Sequence, residues 1–129
     1  MKKRPLPKPT DAEMTILRAL WQRGPSTVRE IWEEVSAAQR TGYTTVLKMM
    51  QIMVDKGLLE RDERERSHIY RPSRSEGHTQ RLVLSHLLEK VFSGSATKLV
   101  MQALATKKAT RTELAEIRKI LDEMEGRSQ

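Results

Sequence analysis

The side chains of this chain best placed to do chemistry fall between Tyr43 and Pro72, in YTTVLKMMQIMVDKGLLERDERERSHIYRP. Thr44, Thr45, Lys48, Gln51 and Asp55 share one face of a predicted helix, while Val46, Met49, Met50, Met53 and Val54 form an apolar face opposite. At the first turn of such a helix, free backbone N–H groups and the positive dipole end favour an anion. Threonine hydroxyls there reach a phosphate oxygen or a base edge. Gly57 supplies the left-handed residue that commonly ends a helix. Two short strands follow, with apolar Leu59, Ile69 and Tyr70 flanking a charged tip, DERERS, and the hairpin holds out Arg61, Arg64 and Arg66 as probes for phosphate or a minor groove. Pro72 stops the second strand. The order predicts a recognition helix followed by a β-hairpin wing. An amphipathic helix and a charged hairpin also serve as plain architecture, so the surrounding elements decide between the two.

Upstream, Thr10 and Glu13 form a capping box that opens a first helix, whose stripe of Met14, Leu17, Leu20 and Trp21 points inward, and Gly24 and Pro25 close it. A second box, Thr27 with Glu30, opens a helix that buries Val28, Ile31, Trp32 and Val35, before a polar turn from Gln39 to Gly42. Three helices and a hairpin give the succession of a winged helix-turn-helix. Thr27 and Arg29, at the opening of the second helix, join Tyr43, Thr44, Thr45, Lys48, Arg64 and Arg66 as DNA-facing candidates. After Pro72 the pattern is helical only. Ser73 and Glu76 form a third box, a short helix follows from about Ala96 to Ala105, and Thr110 with Glu113 opens a last helix that Gly126 ends. Leu87, Val91, Leu99, Leu104, Leu114, Ile117 and Leu121 form stripes too wide for so short a segment to bury, which predicts a homodimer. The expected fold class is mainly α with a small β-hairpin. Its organisation is a flexible basic arm over 1–9, a winged helix-turn-helix over 10–73 and a three-helix dimerisation region over 74–126.

The 129 residues carry a formal charge of +7, of which +5 lies up to Ser75 and +2 beyond it. The excess therefore sits with the predicted reader and suits a polyanion such as double-stranded DNA. The absence of cysteine excludes disulfides and thiolate metal sites, and His68, His78 and His86 match no zinc spacing. No metal or cofactor is expected. No phosphate-binding loop, nucleophile elbow or paired-carboxylate constellation appears, so an enzyme is not expected either. No apolar run reaches the length of a membrane span, and MKKRPLPKPT lacks a signal-peptide core, which predicts a cytoplasmic chain without membrane insertion. Two functions fit these residues: a sequence-specific DNA-binding repressor, or a winged-helix module that docks on protein and uses its basic face for solubility.

The segments PTDAEMTILRALWQRGPSTVREIWEEV, YTTVLKMMQIMVDKGLLERDERERSHIYRP and GSATKLVMQAL with ELAEIRKILDE resemble, over about Lys8 to Glu125, the BlaI/MecI penicillinase-repressor family, to which the copper-responsive CopY repressors are related. The resemblance implies a dimeric transcriptional repressor on a palindromic operator. It places Tyr43, Thr44, Thr45 and Lys48 in the major groove and Arg64 and Arg66 against the DNA backbone. It also implies release by a membrane sensor with a zinc-protease domain, leading to cleavage in the C-terminal region. The cleaved dipeptide, Asn-Phe in the best-known members, aligns with Gln102 and Ala103. The cysteine motif of the copper branch has no counterpart here.

Overall fold

The computed structural model describes residues 8–127; the predicted arm falls mostly on residues outside that range. Of its last two positions, Lys8 is exposed and Pro9 is buried. The elements run α1 (Asp11–Arg23), α2 (Val28–Ala38), α3 (Tyr43–Asp55), β1 (Leu59–Asp62), β2 (Ile69–Pro72), α4 (Glu76–Val91), α5 (Ala96–Thr106) and α6 (Arg111–Arg127). They divide into two compact units, one up to Ser85 and one from His86. The opening turns of α4 thus belong with the winged helix.

In the first unit, both predicted capping boxes form. The Thr10 hydroxyl accepts from the Glu13 amide at 3.1 Å while the Glu13 carboxylate accepts from the Thr10 amide at 2.9 Å, and Thr27 and Glu30 repeat the exchange at the start of α2. Each box satisfies amides that a helix start leaves without partners. α3 ends in a Schellman motif: Gly57 takes φ +84°, its amide donates to Val54 and the Leu58 amide donates to Met53. That turn aims the chain directly into the hairpin. β1 and β2 pair antiparallel with Leu59 opposite Pro72 and Arg61 opposite Tyr70. Ser26, in the turn between α1 and α2, exchanges two backbone hydrogen bonds with Tyr70, at 3.0 and 2.8 Å. The hairpin is thereby stitched to the helices it follows.

Ile16, Leu17 and Leu20 of α1, Ile31 of α2, Val46, Met50 and Met53 of α3, and Leu59 and Tyr70 of the hairpin form one core. Leu17 and Leu20 lie inside as the stripe predicts, but Met14 and Trp21 are only half-buried, and Ile16 and Ala19 are buried with the core. α1 packs against α2, α3 and β2 together, so its buried face is broader than one stripe. The third capping box does not form. Ser75 caps α4 instead, its hydroxyl accepting from the His78 amide at 3.1 Å, because the Ser73 amide is committed to the Leu58 carbonyl, extending the hairpin.

In the second unit Ser95 caps α5, and Thr110 with Glu113 forms the predicted box on α6. α6 continues through Gly126 rather than stopping there. No residue from Gln80 to Gly126 is buried. Leu87, Val91, Leu104, Leu114 and Leu121 are exposed, Val91 by 63% and Leu121 by 52%, while Leu99 and Ile117 are half-buried. Gln102 and Ala103 are exposed on α5.

Candidate nucleic-acid interface

The polar turn between α2 and α3 is held by one tryptophan. Trp32 donates its indole N–H to the Thr41 carbonyl at 2.8 Å, and the Ser36 hydroxyl lies 3.3 Å from the same oxygen. The Tyr43 ring meets the Trp32 ring edge-on, with centroids 5.8 Å apart, and the Arg29 guanidinium lies 5.9 Å from the indole centroid. Such contacts fix ring orientation as well as adding modest attraction. Trp32 therefore ties the turn before α3 to α2 and touches both Tyr43 and Arg29. Tyr43 is 42% exposed, more than a core tyrosine would be.

α3 opens on Gly42, with no side chain capping it. Its first-turn amides thus keep no side-chain acceptor, in contrast to α1 and α2, whose caps occupy that position. Thr44, Thr45 and Lys48 are exposed around this start, and Gln51 and Asp55 extend the same face. Val46, Met50 and Met53 lock the opposite face into the core. The polar face of α3 thus lies in solvent.

Thr27, Val28 and Arg29 at the start of α2, Tyr43 and Leu47 of α3, and Arg66, Ser67, His68 and Tyr70 of the hairpin line an open groove. Four of the predicted DNA-facing residues, Thr27, Arg29, Tyr43 and Arg66, converge there. Thr44, Thr45 and Lys48 stand outside its lining, and Arg64 stands at the hairpin tip. Arg66 has no acidic partner within ion-pair distance among the described residues. Arg64 is bound to Asp62, and its hydrogen bonds, followed by its charge, hold the Asp62 carboxyl down to about 2.

Several contributors are not evident from residue spacing. Glu13 is 5% exposed and takes the Lys56 ammonium at 2.9 and 2.8 Å, clamping the start of α1 to the end of α3. Burial pushes the Glu13 carboxyl up, but the hydrogen bonds from Lys56 and Thr10 and the Lys56 charge outweigh it, leaving the group below its ordinary range. The capping box was the only sequence sign of Glu13; nothing local announces Lys56. The hub role of Trp32 and the Ser26 bridge to Tyr70 are likewise products of the fold.

No group of three or more histidine and acidic side chains among the described residues could hold a metal ion, and no described helix is long and apolar enough to cross a membrane. The chain is 23% identical over 122 residues to the penicillinase repressor of Bacillus licheniformis, covering 95% of each. It is 36% identical over 63 residues to the transcriptional regulator BlaI of Mycobacterium tuberculosis, covering 48% of this chain and 46% of that protein. Among solved structures, the DNA binding domain of the repressor BlaI superposes with a TM-score of 0.51 at 26% identity, covering 59% of this chain and 90% of that one. The hsRosR-S4 complex shares the fold over 94% of this chain and 93% of its own, with a TM-score of 0.51 at 15% identity. Residues 9–123 match the penicillinase repressor family model, and the chain belongs to that family.

Proposed function

We propose that this chain is a transcriptional repressor that binds a palindromic DNA operator as a homodimer. The observation that carries the reading is the start of α3: an uncapped helix terminus ringed by exposed Thr44, Thr45 and Lys48, on a helix whose other face is locked into the core. A helix presented this way fits a major groove amino-terminus first, with hydroxyls and an ammonium at phosphate and base edges. Thr27, Arg29, Tyr43 and Arg66, gathered in one groove beside it, suit the flanking phosphates. Likeness to the DNA binding domain of BlaI and membership of the penicillinase repressor family support the same reading.

The dimer is supported by the tail. Apolar side chains on the end of α4, on α5 and on α6 are exposed, and helices with such faces need a cover; a second copy presents a matching set. Two linked readers gain the effective concentration that one small winged helix lacks. We propose release by proteolysis on the family resemblance alone: Gln102 and Ala103, which stand where that resemblance aligns Asn-Phe, are exposed on α5.

Selection of bound fragments from random genomic DNA tests the reading. A repressor enriches one palindromic sequence, whereas a protein-docking module enriches none. With the selected operator, Lys48→Ala is expected to weaken binding and to lower the slope of log affinity against log salt by about one, as loss of a single phosphate contact does. An unchanged slope and affinity would remove Lys48 from the interface.

A further inference from the structure

The wing is not a simple basic probe. Glu60, Asp62, Glu63 and Glu65 balance Arg61, Arg64, Arg66 and Arg71, so the hairpin has no net charge. Three of its four arginines are paired within it: Arg71 to Glu60 at 3.0 Å, Arg61 to Glu63 at 2.7 Å and Arg64 to Asp62 at 2.7 Å. The last pairing is the fullest. Arg64 Nε donates to Asp62 Oδ1 at 3.0 Å and Oδ2 at 3.1 Å, Nη2 donates to Oδ2 at 2.7 Å, and the Arg64 amide donates to Oδ1 at 3.0 Å. A planar guanidinium offers this fork of donors equally to the two oxygens of a carboxylate and to the two free oxygens of a phosphodiester. The Arg64 side chain is nonetheless 88% exposed, so an incoming oxyanion can reach the fork without any rearrangement of the core.

We propose that Asp62 is a built-in competitor for DNA phosphate that sets how much Arg64 contributes to binding. This rests on the DNA-binding reading above. In the free protein Asp62 occupies the guanidinium; on the duplex a backbone phosphate replaces it, one ion pair exchanging for another. Because the Arg64 and Asp62 pair is neutral, the exchange returns little affinity and little counterion release. The wing then discriminates by fit: Arg64 leaves Asp62 only where a phosphate is presented with both oxygens in reach. Arg66, without an acidic partner, remains the wing's standing cation.

Asp62→Asn separates this from general electrostatics. Asparagine keeps Oδ1 as an acceptor for the Arg64 amide, preserving the turn, while removing the charge that holds the guanidinium. Glu65→Gln is the charge-matched control, since Glu65 forms no ion pair among the described residues. Full-length variants are titrated onto a labelled random-sequence duplex at several salt concentrations, each first checked for unchanged thermal unfolding. Asp62→Asn is expected to bind roughly two- to fivefold tighter, the range of exposed ion pairs, and to steepen the salt slope by about 0.9 per wing. Its gain should exceed that of Glu65→Gln and should vanish in the Asp62→Asn, Arg64→Gln double variant. Equal gains from Asp62→Asn and Glu65→Gln, or a gain that survives loss of Arg64, would overturn the competitor role while leaving DNA binding intact. If the unmutated chain binds no duplex, the DNA-binding reading itself fails and the competitor role goes with it.

Discussion

At the residue scale, Glu13 and Lys56 form a buried tie between elements far apart in the chain. A carboxylate this well buried is tolerated because two ammonium contacts and a helix-cap amide satisfy it; removing the cation leaves the charge desolvated and partly unpaired. Lys56→Met should therefore cost about 1–3 kcal/mol of unfolding free energy, measured by denaturant titration at neutral pH. The pH dependence has a definite sign. Because the folded carboxyl lies below its ordinary value of 4.5, its contribution is complete above that value and is lost as the pH falls through the lower folded value. The advantage of the unmutated chain over Lys56→Met should thus shrink in that acidic window, and an advantage that grew there would contradict the tie. The sequence displayed half of this arrangement: Thr10 and Glu13 are three apart and read as a cap. Lys56 lies 43 residues further on, and no periodicity reaches that distance.

At the scale of elements, the helix starts and the end of α3 were legible because caps are local. Thr10, Thr27, Thr110 and Gly57 act through hydrogen bonds or dihedral angles spanning a few residues, so their spacing is sufficient evidence. The Ser73 box failed for the same reason seen in reverse, since a nonlocal bond to Leu58 took the Ser73 amide and moved the cap to Ser75. Trp32, which its place in an apolar stripe marked only as core, holds the turn that leads into α3. Trp32→Phe keeps most of the packing but removes the bond to the Thr41 carbonyl. We expect a loss of about 1 kcal/mol in stability, read by thermal unfolding, and a further loss of duplex affinity because Tyr43 and Arg29 lose their fixed aromatic partner. Normal affinity in a folded Trp32→Phe protein would show that the start of α3 is positioned by other contacts.

At the scale of the whole molecule, the first compact unit extends to Ser85, including the opening turns of α4. A fragment ending at Ser85 should fold, with the cooperative unfolding of a single core, and should bind the selected operator at least roughly a hundredfold more weakly than the full chain, having lost its linked partner. Equal affinity would separate operator binding from the tail. Leu114→Asp combined with Leu121→Asp should shift the full chain from dimer to monomer in sedimentation, because both positions are exposed along one side of α6 and a charge there cannot be buried against a second copy. A dimer that persists with both changes would place the contact elsewhere.

Local pattern was enough to determine the order of elements, the inner face of α3 and the apolar excess of the tail, since each follows from periods of two to four residues and from caps that act within one turn. Only the tertiary structure decided which charges are usable. It buried Glu13 with Lys56, stitched Tyr70 to Ser26, and gathered Thr27, Arg29, Tyr43 and Arg66 about one groove. The physical reason is range: helix and strand propensities are set by neighbours along the chain, whereas the availability of a charged side chain is set by what folding brings within about 4 Å of it.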